Sequence, residues 1–439
     1  MGRDFSRSSP DKKARPGVAR PPRAGLDPPF VDEIYNFANP LKTAAFSRWI
    51  LWITRPRGSP ARASFGPLPP APFAPSPGTF HLGLKSAEHV FYNPVLGPPR
   101  RTRSSTNPVT DIAPETRRLL ANCLTEARFD ELPNHTRGKV RESYDLPDGR
   151  RIMVATDRQS AFDYVLAAVP YKGQVLNQTA LFWFDKTKDI CVNHVIASPD
   201  PNVVVGRRLT MLPIEMVVRD YLTGSTDTSI WPMYKRGERM LYGHRFPDGM
   251  VKNQKLAQTI LTPTTKAEQG AHDEPVTADA VVARGLVTAA QWRALADASL
   301  KLFARGREIA ARNGLILVDT KYEFGLDAKG RITLADEIHT PDSSRYWIAA
   351  SCAARIAAGQ EPESLDKEFL RLWISARCDP YKDPIPEIPP ETLIEFSAKY
   401  VKLYEQVTGR AFAKPDMKKP IKERIRANLA RAFPEYFRA

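Results

Sequence analysis

The segment LILVDTKYEFG, residues 315–325, decides how the rest of the chain is read. It opens on four apolar residues, 315–318, the mark of a buried strand. Polar residues then fall on alternate positions, Asp319, Lys321 and Glu323, so a strand puts all three on one face. Gly325 and the turn LDAKG lead into RITLADE, a second run of strand character. The two runs form an antiparallel hairpin that brings Asp336 or Glu337 beside the first strand. Several carboxylates and a lysine at the end of a buried strand suit a Mg2+–nucleotide site. Magnesium takes one or two carboxylates plus phosphate oxygens, and lysine offsets the charge of a transferring phosphoryl group. A salt-bridged, exposed strand face accounts for the same residues without any function.

Upstream, Thr288 and Gln291 have the spacing of a capping box. They open a helix that runs through Asn313 and stops at Gly314. KVRESYDL and RRIMVATD, joined by Pro147, Asp148 and Gly149, read as another hairpin. TDIAPETRRLLANCL reads as a helix capped by Thr110 or Asp111 and running to about Ala127. Downstream, Leu393, Phe396, Tyr400, Leu403 and Val407 recur at helical spacing before Gly409, and Ile421, Ile425 and Leu429 mark one more amphipathic helix. Helices and hairpins with no internal repeat and no βαβ series make the class α+β with antiparallel sheets.

The net charge of +15 over 439 residues is unevenly placed. Residues 1–110 hold 16 Lys+Arg against 6 Asp+Glu, and residues 410–439 hold 9 against 3. The stretch between them has 39 against 40, so its net charge is −1. A nucleic-acid binder carries its positive charge on the folded face, so the core is not read as one. The first 110 residues also hold 19 of the 40 prolines, which deny helix and sheet an amide donor. Residues 1–108 are therefore expected to be disordered. A targeting peptide, a proline-rich recognition arm and translated sequence upstream of the true start are the three accounts. Asp4, Asp11, Asp27, Asp32 and Glu33 oppose an acid-poor transit peptide. The expectation is the third account, with translation beginning near Val109. Four widely spaced cysteines, Cys123, Cys191, Cys352 and Cys378, with no C-x-x-C, suit a reducing, cytoplasmic setting. No apolar run approaches the ~20 residues that span a bilayer.

Three more polar clusters stand out. Arg137, Gly138, Lys139, Val140 and Arg141 lie at the entry to the first hairpin, where glycine lets amides approach a phosphate and lysine adds a mobile charge. Solvated basic residues at a strand start are the plainer account. Thr340, Pro341, Asp342, Ser343, Ser344 and Arg345 precede the run YWIAASCAARIAAG, taken as a helix whose free amides would hold a phosphate; an ordinary N-cap is the alternative. Thr262 through Asp273 reads as a polar loop carrying Lys266, Glu268, His272 and Asp273.

Together, GKVRESYDL, VATDRQSAFD, EMVVRDYLTGS, TPTTKAEQGAHDEP, LILVDTKYEFG and DEIHTPDSSRYW resemble, in order and spacing, the phosphoribosylaminoimidazole-succinocarboxamide synthase (SAICAR synthetase) family. The resemblance covers about 111–409; residues 1–108 and most of 410–439 have no counterpart in it. It implies a two-lobed α+β fold with ATP in the cleft, similar in outline to ATP-grasp enzymes and protein kinases. Residues 109–210 would be the N-terminal lobe, 211–409 the C-terminal lobe and 410–439 a basic helical tail.

The implied reaction is a ligation in purine biosynthesis. The carboxylate of the ribotide CAIR is joined to the amine of L-aspartate, using ATP as cosubstrate and Mg2+ as cofactor and releasing ADP and phosphate. Another ATP-dependent carboxylate–amine ligase is the nearest alternative, and a basic interaction protein whose tails bind nucleic acid a more distant one. The resemblance places Lys139 and Gly138 at the ATP phosphates and the adenine at the backbone near Met211. Lys321 would lie near the reacting groups with Asp319 supporting that face, and Asp336 and Glu323 would hold the metal. Arg219, Ser225, Ser344 and Arg345 would hold the CAIR phosphate. Lys266 and Asp273 would sit on a loop over the substrates, and Asp157, Ser160 and Asp163 would line the cleft.

Overall fold

The computed structural model describes residues 113–266, 273–416 and 418–438, all within the compact unit 101–439. The proline-rich segment, the start near Val109, the cap at Thr110 or Asp111, Glu268 and His272 lie outside the described residues.

Helix α1 (Pro114–Ala121) precedes β1 (His135–Arg137), β2 (Arg141–Asp145) and β3 (Arg150–Ala155). A small hairpin, β4 (Arg158–Ala161) and β5 (Tyr164–Ala168), leads to helix α2 (Lys172–Lys186) and then to β6 (Val195–Asp200) and β7 (Val203–Arg207). Strands β1, β2, β3, β7 and β6, in that spatial order, make a five-stranded sheet. The chain then enters a second sheet through β8 (Thr210–Leu222). After α3 (Ile230–Lys235) and the short hairpin β9 (Met240–Leu241) and β10 (His244–Arg245) come β11 (Gln254–Leu261) and β12 (Thr264–Thr265). Helices α4 (Ala278–Ala283) and α5 (Ala289–Arg312) lead to β13 (Leu315–Leu326), β14 (Ile332–Ala335) and β15 (Ser344–Ile348). The central sheet runs β11-β8-β13-β14, with β12 on β8 and β15 on β13. Helices α6 (Ala349–Ala357), α7 (Glu368–Ser375), α8 (Pro390–Thr408) and α9 (Ile421–Ala432) follow. Every pairing between these strands is antiparallel, and the fold is α+β. Among the described residues no helix is long and apolar enough to cross a membrane.

Local signals produce the expected elements. Thr288 Oγ1 accepts from the Gln291 amide at 3.2 Å and Gln291 Oε1 accepts from the Thr288 amide at 2.8 Å, so the capping box is closed. The first hairpin turns at Gly149, whose φ of 83° favours glycine, and Arg141 to Asp145 pair with Ala155 to Arg151. Helix α8 ends at Gly409 in the left-handed region.

Alternation in the central strands sorts side chains between two faces. Ile214, Met216 and Val218 of β8 and Tyr322 and Phe324 of β13 face the core, packed with Leu295, Leu302 and Phe303 of α5. Each such buried side chain contributes roughly 1.5–3 kcal/mol. The opposite face of the same strands carries the charged residues. In the five-stranded sheet, Tyr144, Ile152, Val154, Val203 and Val205 share a core with Ile421, Ile425 and Leu429. The C-terminal helix is thus packed on the first sheet.

Two expectations are corrected. The first helix stops at Ala121, not near Ala127. The Leu124 amide donates to Asp157 Oδ2 at 2.7 Å, and the Leu124 carbonyl accepts from the Asp157 amide at 2.8 Å. That backbone is spent on a distant partner instead of a helical turn. Residues Ser344–Ile348 form a strand, and the helix starts only at Ala349. Pairing to β13, from Leu315 with Ile348 to Thr320 with Ser344, wins over local helix signals. Arg345 therefore does not sit at a helix N-terminus.

Candidate active site

The charged strip lies across three neighbouring strands. Asp319 of β13 is in register with Arg219 of β8 on one side and Arg345 of β15 on the other. Four residues along, Glu323 is in register with Glu215. Lys321 lies between these positions. Its Nζ donates to Glu323 Oε1 at 3.0 Å and to Glu215 Oε1. Lys266 reaches Glu323 Oε2 from the loop after β12, and Thr264 Oγ1 donates to Glu215 Oε2 at 3.0 Å. Burial alone would lower the Lys321 pKa, but Glu323 and Glu215 outweigh it and hold the ammonium charged. Burial would likewise raise Glu323, yet Lys321 and Lys266 hold it at about 2. Glu215 is pushed upward, chiefly by burial, with the charges of Glu323 and Asp273 adding to the rise.

At the other end, two buried guanidinium groups share one carboxylate oxygen. Arg219 Nη1 donates to Asp319 Oδ2 at 3.2 Å and Arg345 Nη1 to the same oxygen at 2.5 Å. Arg219 Nε also donates to Thr262 Oγ1 at 2.8 Å. Arg345 and Arg371 both donate to Glu368 Oε2 at 3.2 Å. Burial would raise Glu368, but Arg345 and Arg371 outweigh it, with a smaller contribution from the Ser225 hydroxyl, and hold it at about 2. Arg219, Arg345 and Arg371 thus converge on this end, and guanidinium groups so placed suit an anion. Ser225 follows Gly224, whose φ is 108°.

The first sheet contributes a third group. Arg141 of β2 reaches Asp336 just beyond β14, with Nη1 on Oδ1, and Glu337 at 3.1 Å. It thereby joins the two sheets. Lys139 Nζ donates to Asp163 Oδ1 at 2.6 Å, an exposed pair that ties the loop before β2 to the turn between β4 and β5. Met211 lies at the start of β8, opposite Gly325, just after the crossing between the sheets. Glu323 is in register with Ala335, the neighbour of Asp336. Asp336 thus stands one residue past the position in register with Glu323, and carboxylates of this kind suit magnesium when phosphate oxygens complete its six positions. Among the described residues no group of three or more His, Cys, Asp or Glu side chains is arranged to hold a metal ion by itself.

The strip thus gathers Arg219, Arg345, Asp319, Lys321, Glu323 and Lys266. Gly138, Lys139, Arg141 and Asp336 stand on its first-sheet side. Two expected residues, Asp157 and Ser344, are placed differently. Asp157 is fully buried and does not line a cleft. Its carboxylate accepts from the amides of Leu124 and Gly173, at 2.7 and 2.8 Å, and burial raises its pKa to about 6. Ser344 donates to Thr320 Oγ1 at 2.7 Å. Thr320 alternates with Asp319 and Lys321, so Ser344 faces away from Arg345. Ser160 is half-buried in β4, paired with Val165. Asp273 resumes the chain after the undescribed stretch 267–272, and its charge is felt at Glu215.

Sequence reasoning assigned no role to Arg141, Glu215, Glu368 or Arg371. Glu215 was accessible to it: Glu215 and Arg219 are four apart in a run of strand character, hence on one face. Glu368 and Arg371 lie on α7, and only the packing of that helix brings them to Arg345.

Comparison with known proteins follows the same lines. The sequence signature of the SAICAR synthetase family matches residues 134–388. A putative phosphoribosylaminoimidazole-succinocarboxamide synthase 2 of Mesorhizobium japonicum is 58% identical over 311 residues, 71% of this chain and 99% of that protein. The phosphoribosylaminoimidazole-succinocarboxamide synthase of Legionella pneumophila strain Paris is 52% identical, over 70% of this chain and 98% of its own. Among solved structures, SAICAR synthase from Saccharomyces cerevisiae, in complex with SAICAR, superposes with a TM-score of 0.56 at 30% identity, covering 66% of this chain and 99% of that one.

Proposed function

This chain belongs to the SAICAR synthetase family, and we propose that the charged strip on β8, β13 and β15 is where its reaction takes place. The enzyme is a phosphoribosylaminoimidazole-succinocarboxamide synthase. It joins the carboxylate of CAIR to the amine of L-aspartate to give SAICAR in purine biosynthesis. The residue assignments, the use of ATP and Mg2+, and the acyl phosphate route are our reading. So are a nucleotide-phosphate role for residues 109–210, a substrate role for 211–409 and a cytoplasmic setting, which four free cysteines suit.

A carboxylate is a poor acylating agent because oxide would have to leave. Transfer of the γ-phosphoryl group of ATP to a CAIR carboxylate oxygen gives an acyl phosphate and ADP. The aspartate amine then attacks the acyl carbon and inorganic phosphate departs. Such transfer asks a protein for positioning and charge neutralisation rather than for a nucleophile. The strip supplies both.

The carrying observation is Lys321, held charged between Glu215 and Glu323, on the same face as the Arg219–Asp319–Arg345 group. Two residues of strand advance about 6.6 Å from the level of Asp319 to that of Lys321. Arg219 and Arg345, with Ser225 nearby, hold the ribotide phosphate, and the imidazole carboxylate then lies toward Lys321. Glu323 and Asp336 would hold Mg2+, which when bound neutralises charge on the nucleotide phosphates. Lys139 and Gly138 face those phosphates from the first sheet, and the Met211 backbone meets the adenine. Lys266 and Asp273 would contact the substrates.

A coupled assay for ADP release tests this reading. Turnover should require ATP, CAIR and L-aspartate together. ADP release that proceeds equally with L-glutamate points instead to another carboxylate–amine ligase in the same cleft.

A further inference from the structure

Arg158 is buried beneath the loop that carries Gly138 and Lys139, and all five of its guanidinium hydrogens have acceptors. Nε donates to the Lys139 carbonyl at 2.9 Å. Nη1 donates to the Thr125 carbonyl and to Glu142 Oε1, both at 2.7 Å. Nη2 donates to the carbonyls of Gly138 at 2.9 Å and Arg141 at 3.3 Å. A guanidinium offers five donors in a fixed planar fork, so none remains for a ligand. The carbonyl that Arg158 leaves, that of Val140, accepts from the Thr156 amide at 3.0 Å and from Thr156 Oγ1 at 2.7 Å. Thr156 and Arg158 therefore hold every carbonyl from Gly138 to Arg141.

That arrangement has an electrostatic consequence. In a trans peptide the C=O and N–H of one plane point in opposite directions. Turning the carbonyls of Gly138 and Lys139 down onto Arg158 turns the amides of Lys139 and Val140 the other way. The negative ends of the peptide dipoles are withdrawn from the side an anion would approach, and the positive ends are presented to it. Glu142, fully buried and also paired with His135 Nε2 at 2.8 Å, supplies the counter-charge that lets a guanidinium sit there.

We propose that Arg158 is a positioning residue for nucleotide binding: it touches no substrate but fixes the peptide orientations of the 138–141 loop that receives the ATP phosphates. This rests on the reading that the loop faces those phosphates.

The test is calorimetric titration of ADP alone into the purified enzyme, together with steady-state kinetics. Arg158→Lys keeps the charge opposite Glu142 but cannot reach three loop carbonyls at once. The ADP Kd and the ATP KM should each rise tenfold or more, while the CAIR KM stays within twofold. Should that variant not accumulate as folded protein, the neutral double variant Arg158→Gln/Glu142→Gln, which leaves no buried charge unpaired, carries the same expectation. A folded variant whose ADP Kd stays within twofold of the parent overturns the proposal, as does a CAIR KM that rises in parallel with that for ATP. Lys139→Met separates the two levels. If it weakens ADP binding and Arg158→Lys does not, only the positioning role fails. If it leaves ADP binding unchanged, the loop is not the phosphate site and both fail.

Discussion

Asp319 Oδ2 accepts hydrogen bonds from Arg219 and Arg345 together, at 3.2 and 2.5 Å, from the two strands that flank its own. The carboxylate holds two like charges side by side and orients both forks toward one region. On the proposed assignment, that is how a strand, with no helix N-terminus behind it, would present an anion site.

Arg345→Ala therefore is expected to act on CAIR binding. A phosphate held through the whole reaction is bound alike in ground and transition states, so KM for CAIR rises more than kcat falls. The lost charge-assisted hydrogen bonds are worth ~1.5–3 kcal/mol, roughly a 10- to 150-fold rise. Arg345→Lys recovers only part, since the fork is gone. Kinetics with each substrate varied in turn check this, and a rise confined to the ATP KM contradicts the assignment.

Lys321→Met leaves Glu215 and Glu323 facing each other without the cation between them. Loss of a preorganised charge at the transferring phosphoryl group costs ~10²–10³ in kcat. Asp336→Asn, which also weakens the contact with Arg141, is expected to lose turnover comparably. Circular dichroism establishes that each variant is folded. Near-parental kcat at saturating Mg2+ in a folded variant rejects the role of that residue.

The pH dependence of stability carries two opposite signs. Glu323 and Glu368 are each held at about 2, below the ordinary 4.5, because neighbouring cations outweigh burial. The native state then binds fewer protons than the unfolded one. Their stabilisation is complete above about pH 4.5 and is lost as pH falls toward 2. Asp157 is raised by burial from 3.8 to about 6, so stability falls as pH rises through that window. Asp157→Asn should lower stability and remove Asp157's share of the slope between about pH 4 and 6, a window in which Asp366, raised by burial to about 7, still contributes. Denaturant titrations across pH read both limbs, and a variant curve parallel to the parent in that window contradicts the raised Asp157.

Gly224→Ala tests the loop that carries Ser225. At a φ of 108°, an added Cβ would lie 2.3 Å from Ser229 Oγ and 3.1 Å from Arg345 Nη2. The strained backbone alone costs about 1–3 kcal/mol. Both the melting temperature and CAIR affinity should fall, whereas a strain confined to the loop would move the first and spare the second.

What the sequence determined by itself was local. Polar residues at 319, 321 and 323 alternate after an apolar run, and that period fixes one charged face whatever the strand pairs with. Thr288 with Gln291, and Gly149 in its turn, declare a helix start and a hairpin within a few residues. The six motif segments carried the family. Tertiary structure decided which faces meet. Arg345 gains its role from the register of β15 against β13, which also turns Ser344 to the other side. Asp157 leaves the cleft because α2 begins against its carboxylate. Arg141 finds Asp336 across 195 residues of sequence, and Glu368 meets Arg345 only where α7 packs beside β15. Such pairings are set by long-range register and burial, and no short-range periodicity encodes them.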